Sequence, residues 1–64
     1  MNVEPKLLRK PDAARYLSIP ISTLEKLTAR KQIPHLKIGR SVSYDVADLA
    51  RWIEAKKIPA IETS

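Results

Sequence analysis

The sequence predicts a mostly helical domain of three short helices with a small two-stranded β-hairpin. Three observations predict it. Two helix-forming stretches are separated only by Ser18-Ile-Pro-Ile21, which is helix-turn-helix spacing. A strand, a Gly-Arg turn and a second strand follow Pro34. A third helix opens at Asp45 with apolar residues at i, i+3 and i+4.

Helix 1 is predicted from Pro11, because a proline at the first helical position loses no hydrogen bond. Asp12 then sits in the first turn, where a carboxylate meets the positive end of the helix dipole. Ala13, Ala14 and Leu17 line one face through about Ser18, and the two alanines allow a close helix crossing. Tyr16 and Trp52 are expected in the core. Leu7 and Leu8 precede the helix as a short extended segment.

Pro20 disfavours helical geometry at Ile19 and ends helix 1. Helix 2 restarts at once: Ser22-Thr-Leu-Glu25 fits a capping box, with Glu25 reaching back to the cap N–H. Leu24, Leu27 and Thr28 face inward, and Ser22, Thr23, Lys26 and Arg30 are left toward solvent. The helix ends near Arg30–Lys31, before Pro34.

In the hairpin, Leu36 and Ile38 share one face, as do Val42 and Tyr44. Pairing Ile38 with Val42 and Leu36 with Tyr44 needs a three-residue loop, Gly39-Arg-Ser41. A two-residue loop would oppose the apolar positions with Ser41 and Ser43 and is rejected. Lys37 and Ser43 then point to solvent, and Arg40 stands at the tip. In helix 3, Asp45 is the N-cap, Leu49, Trp52 and Ile53 form the buried stripe, and Lys56 and Lys57 close the negative end. Its charges nearly balance, so it reads as a support.

The chain has 64 residues, 12 Lys and Arg against 7 Asp and Glu, a net charge of +5 and a pI near 9.9. That length makes a single domain over 1–64, with an ordered core at about 7–57 and loosely held ends at 1–6 and 58–64. With no cysteine and only His35 as histidine, neither a disulfide nor a zinc site is expected. No cofactor is expected either: Gly39 is the only glycine, so no glycine-rich phosphate loop exists. A lone histidine without an evident orienting acid argues against an enzyme, and His35 reads as an ordinary loop or strand residue. No apolar run reaches membrane-spanning length and no leader is evident, which predicts a soluble cytoplasmic protein. From Ser22 to Tyr44 the bases Lys26, Arg30, Lys31, Lys37 and Arg40 face one acid, Glu25. A basic helix beside a basic hairpin is the footprint of a protein that sits on a phosphate backbone.

Leu7-Leu8, Ala13-Ala14-Arg-Tyr-Leu17, Ser22-Thr-Leu24, Lys31-Gln-Ile-Pro34, Lys37-Ile-Gly-Arg40 and Asp48-Leu49 with Trp52-Ile53 occur in an order and spacing that cover about residues 7–54. Together they resemble the excisionase-type branch of the MerR-like winged helix-turn-helix domains. The resemblance implies that helix 2 enters the major groove of double-stranded DNA while the wing touches backbone or minor groove. It nominates Ser22, Thr23, Glu25, Lys26 and Arg30 on the helix, and Lys37, Arg40, Ser41 and Ser43 on the wing. It also implies a choice of roles: an excisionase that bends DNA and directs an integrase, with copies bound side by side, or a transcriptional regulator.

Three departures stand out. Pro20 replaces the usual Ser or Thr cap, so helix 2 is expected to start differently. Lys31 replaces a usual glycine, so the helix is expected to end by another route. The long dimerisation helix and effector module of full MerR regulators are missing, so sensing and coiled-coil dimerisation are not expected.

Five of the site residues have a plainer alternative. Lys26 and Arg30 suit an ordinary solvated face, Arg40 a generic loop arginine, Glu25 a cap instead of a cytosine contact, and Thr23 a first-turn filler instead of a thymine or phosphate contact. The rival from another class is a protein-interaction module whose basic face docks an acidic partner, with RNA binding a third reading. If about five phosphates are neutralised, log K falls with log salt at a slope of roughly −4 to −5.

Overall fold

In the computed structural model, which describes residues 6–60, the chain runs β1 (Leu7–Leu8), α1 (Lys10–Leu17), α2 (Ile21–Ala29), β2 (Leu36–Ile38), β3 (Ser41–Asp45) and α3 (Val46–Lys56). The three helices surround a small antiparallel sheet of order β1-β3-β2. The fold is a winged helix-turn-helix, as expected, with one strand more than the sequence suggests. Leu7 pairs with Asp45 and Leu8 with Tyr44, so the segment before α1 is a true strand on the free edge of β3. The Lys6 carbonyl, expected in a loose end, accepts the Val46 N–H at 2.9 Å. The expectation of loose ends at 1–5 and 61–64 lies outside the described residues; Ile58 is 90% exposed, in irregular chain beyond α3.

α1 begins one residue before the expected Pro11, with Arg9 as N-cap, and α1 packs on α2 through Ala13 and Ala14, which are fully buried. Once 13, 14 and 17 point inward, residue 16 cannot, and Tyr16 is 45% exposed instead of core. The core consists of Ala13, Ala14, Leu24, Ile33, Tyr44 and Leu49, with Leu8, Leu17, Ile19, Leu27, Val42 and Trp52 packed around it. Trp52 is therefore a flanking residue, half-buried on α3.

The capping box expected at Ser22 is not made. α2 starts at Ile21 with Pro20 as its N-cap, and no side chain caps it. The Pro20 carbonyl accepts the N–H groups of Thr23 and Leu24 at 3.0 and 3.1 Å. Proline serves here because a cap residue takes extended geometry and needs no N–H of its own. α3 keeps its expected start: the Asp45 carboxylate accepts from Ala47 and Asp48 N–H at 2.8 and 3.2 Å.

The end of α2 also differs from expectation. Lys31 takes left-handed geometry with φ +56, the conformation for which glycine is the usual choice. The Lys31 N–H donates to Thr28 at 3.0 Å and the Gln32 N–H to Leu27 at 2.8 Å, a complete Schellman motif. Ser18, φ +58, closes α1 the same way, with bonds from Ser18 to Arg15 and from Ile19 to Ala14. A left-handed non-glycine residue costs about 1–2 kcal/mol, part of which glycine recovers despite its freer unfolded chain. Lys31→Gly is expected to stabilise the domain by about 1 kcal/mol, or about 4–8 °C in thermal melts followed by circular dichroism.

The hairpin register corrects the expected one. Leu36 pairs with Ser43, Lys37 with Val42 and Ile38 with Ser41, leaving the two-residue loop Gly39-Arg40. Gly39 has φ +61 while Arg40 does not enter the left-handed region, as a type II′ turn requires with glycine first. A Cβ at Gly39 would meet nothing within 4 Å, so the backbone alone demands the glycine. The one-residue change moves Leu36 and Ile38 off the face that carries Val42 and Tyr44. Ile38 is left 57% exposed. That is tolerated because Tyr44 takes its cross-strand partner, Leu8, from β1 instead of β2.

Candidate nucleic-acid interface

The outward face of α2 exists because its inward face is firmly anchored. Leu24 is fully buried, and Leu27 and Thr28 are half-buried beside it. The Thr28 hydroxyl donates to the Leu24 carbonyl at 2.8 Å, which uses its only proton. The Tyr44 hydroxyl, 2.6 Å away, therefore donates to Thr28 Oγ1. This bond joins the middle of α2 to β3, the inner strand of the wing. A second tie comes from α3, where Trp52 Nε1 donates to the Gln32 carbonyl at 2.9 Å, just beyond the end of α2. Helix and wing thus hold a fixed relation, which a two-element grip on a duplex requires. Lys56 Nζ lies 5.5 Å from the Trp52 ring centroid and covers its outer face.

Ser22, Thr23, Glu25, Lys26 and Arg30 are all exposed on α2. Lys37, Arg40 and Ser41 are exposed on the wing. Ser43 is the exception. Expected to point to solvent, it is 8% exposed, because the two-residue turn sets Leu36 opposite it, on the face away from Val42 and Tyr44.

Glu25, expected to choose between capping and base contact, makes no cap bond. Its Oε2 lies 3.5 Å from Lys10 Nζ on α1, in a pair exposed on both sides. An exposed pair of this kind contributes little stability. It does mark where Lys10 lies: against the outward side of α2.

Folding also brings together cations that the sequence keeps apart. The start of α1 and the wing tip form the walls of one cleft, lined by Arg9, Lys10, Pro11, Arg40, Ser41 and Val42. Sequence reasoning counted basic residues only between Ser22 and Tyr44 and so missed Arg9 and Lys10. The available signal was the basic run Lys6, Arg9, Lys10 immediately before Pro11. Around α3, Arg51 pairs with Asp48 and Lys57 with Glu54, while Lys56 lies over the Trp52 ring. Lys26, Arg30, Lys37 and Arg40 have no acidic partner among the described residues. Unneutralised charge is thus carried by α2 and the wing, and by Arg9 at the start of α1, while Arg51 and Lys57 are paired locally.

Among the described residues no helix is long and apolar enough to cross a membrane. A family model described as a helix-turn-helix domain matches residues 7–57, from β1 to the residue after α3. No curated protein matches the chain.

Proposed function

The chain belongs to the helix-turn-helix family of small, excisionase-like DNA-binding domains, and from that premise we propose that it is a recombination directionality factor of a mobile element. In this reading it binds specific double-stranded sites in the cytoplasm, bends them and directs an integrase toward excision. It acts by binding alone, without catalysis and without a cofactor. Ser22, Thr23 and Lys26 meet base edges in the major groove, while Arg30, Lys37, Arg40 and Ser41 hold phosphates beside it. Glu25 reaches a cytosine amino group only when it leaves Lys10.

One observation carries this reading: the tyrosine–threonine bond between α2 and β3 fixes two unneutralised cationic elements relative to each other. Cations on two elements neutralise phosphates along one side of a duplex, and bent DNA wraps more of such a surface. One module reads only a short site, so copies bound side by side or a recombinase partner supply the remaining specificity. The same interface serves a small transcriptional regulator, the second reading.

Sequencing genomic fragments retained by the protein at moderate salt separates the two. Clustered direct repeats beside an attachment site are the expected result. Enrichment of promoter operators favours the regulator. Tight capture of an acidic protein that survives nuclease treatment, with no sequence-dependent retention of duplex, overturns both.

A further inference from the structure

The cleft between α1 and the wing has an unusual lining. It measures about 250 Å³, and three of its six lining residues are the cations Arg9, Lys10 and Arg40, with no acid among them. We propose that this cleft seats a single phosphodiester of duplex DNA, gripped from one side by Arg9 and from the other by Arg40. The proposal rests on the DNA-binding reading above and adds α1 as a third contacting element.

Arg9 is misplaced as a helix residue. It occupies the N-cap of α1, where Ser, Thr, Asn or Asp would accept a backbone N–H, and its side chain makes no cap bond. Its charge has no acidic partner among the described residues, and neither has that of Arg40. Lys10 differs, being shared with Glu25 across a 3.5 Å pair. Two guanidinium groups walling one cleft repel each other unless an anion lies between them. Local rules broken in this way, with no structural gain, are a mark of function.

The chemistry of the lining selects phosphate. A guanidinium presents a planar fork that matches two phosphate oxygens. The Ser41 hydroxyl adds a neutral donor, and Pro11 and Val42 supply apolar surface beside these groups. The Lys10–Glu25 pair sets the cleft beside the outward face of α2. A phosphate seated there belongs to the backbone flanking the groove that α2 occupies.

The test measures duplex affinity against salt for the intact protein and for Arg9→Ala, Arg9→Lys, Arg40→Ala and the Arg9→Ala/Arg40→Ala pair, with melting temperatures as fold controls. Arg9→Ala is expected to keep the wild-type melting temperature, bind about tenfold more weakly and flatten the salt slope by about one unit. Arg9→Lys is expected to recover the slope but only part of the affinity, since it keeps the charge and loses the fork. The double variant is expected to lose less than the product of the single losses, because both arginines hold one phosphate. Wild-type binding by Arg9→Ala, with Arg40→Ala still impaired, overturns the cleft and leaves DNA binding intact. Losses that simply multiply overturn the shared seat. A wild-type protein without salt-dependent binding overturns this proposal together with the reading beneath it.

Discussion

Leu24→Ala is expected to abolish the cooperative thermal transition. Leu24 is fully exposed to the core and not at all to solvent, in the middle of α2 and in one cluster with Ala13, Ala14, Ile33, Tyr44 and Leu49. Truncating such a leucine costs about 2–5 kcal/mol, from lost transfer energy and the cavity left behind. A domain of this length, with no disulfide, rarely holds more than about 3–5 kcal/mol in total. The substitution therefore consumes most or all of the stability, and near-ultraviolet circular dichroism at 25 °C is expected to lose its folded signal. DNA binding goes with it, since α2 loses the anchor that aims its outer face. Ile38→Ser is the companion measurement. At 57% exposure it is expected to change stability by no more than about 0.5 kcal/mol. A loss of about 2 kcal/mol there would restore the three-residue loop, in which Ile38 packs beside Val42.

Removing the two cations of α2 together has the second largest effect, on binding and not on stability. Lys26 and Arg30 are four residues apart on an exposed face and have no acidic partner among the described residues. Their side chains make no hydrogen bond or ion pair among the described residues; the Arg30 N–H bond to the Lys26 carbonyl, 3.0 Å, is backbone and survives substitution. The Lys26→Ala/Arg30→Ala variant is expected to melt like wild type and to bind duplex DNA about a hundredfold more weakly at 0.1 M salt, with the salt slope flatter by about two units. Arg51→Ala, on α3 and paired with Asp48, is expected to leave both quantities unchanged. Equal losses from the α2 and α3 variants would mean that net charge alone, and not this face, attracts the duplex.

What the sequence disclosed was what local physics decides. Asp45 caps α3 because the carboxylate lies two and three residues from the N–H groups it accepts. The Leu49, Trp52 and Ile53 stripe and the inward set Leu24, Leu27 and Thr28 follow from the helical repeat. The exposed members of the α2 site follow from the same repeat. What it concealed was set by contacts between distant segments. The hairpin register depends on Leu8 taking the place beside Tyr44, a partner more than thirty residues away in sequence. With that partner supplied, the glycine-first turn prevails over apolar pairing within the hairpin, and Leu36 comes to lie opposite Ser43. Glu25, by contrast, loses its expected cap because α2 starts earlier, at Ile21, behind a proline cap that has no N–H to offer.

The end of α2 shows the same override in the opposite direction. The absence of glycine at position 31 argued for a different helix ending, yet Lys31 adopts the left-handed turn. The Gln32 N–H is held by Leu27 and the Gln32 carbonyl by Trp52, so bonds on both sides of one residue compensate the strain of its neighbour. Arg9 and Arg40 belong to this non-local class as well. Thirty-one positions apart in the chain, they become walls of one cleft only after β1 and the wing flank the start of α1.

A salt titration of duplex affinity with the intact protein tests the central claim most directly, that α2 and the wing set their cations against a single duplex. Engagement of about five phosphates predicts a log–log slope of roughly −4 to −5, so that affinity falls about a thousandfold between 0.05 and 0.25 M sodium chloride. A slope near zero, or binding equally tight at both salt concentrations, contradicts it.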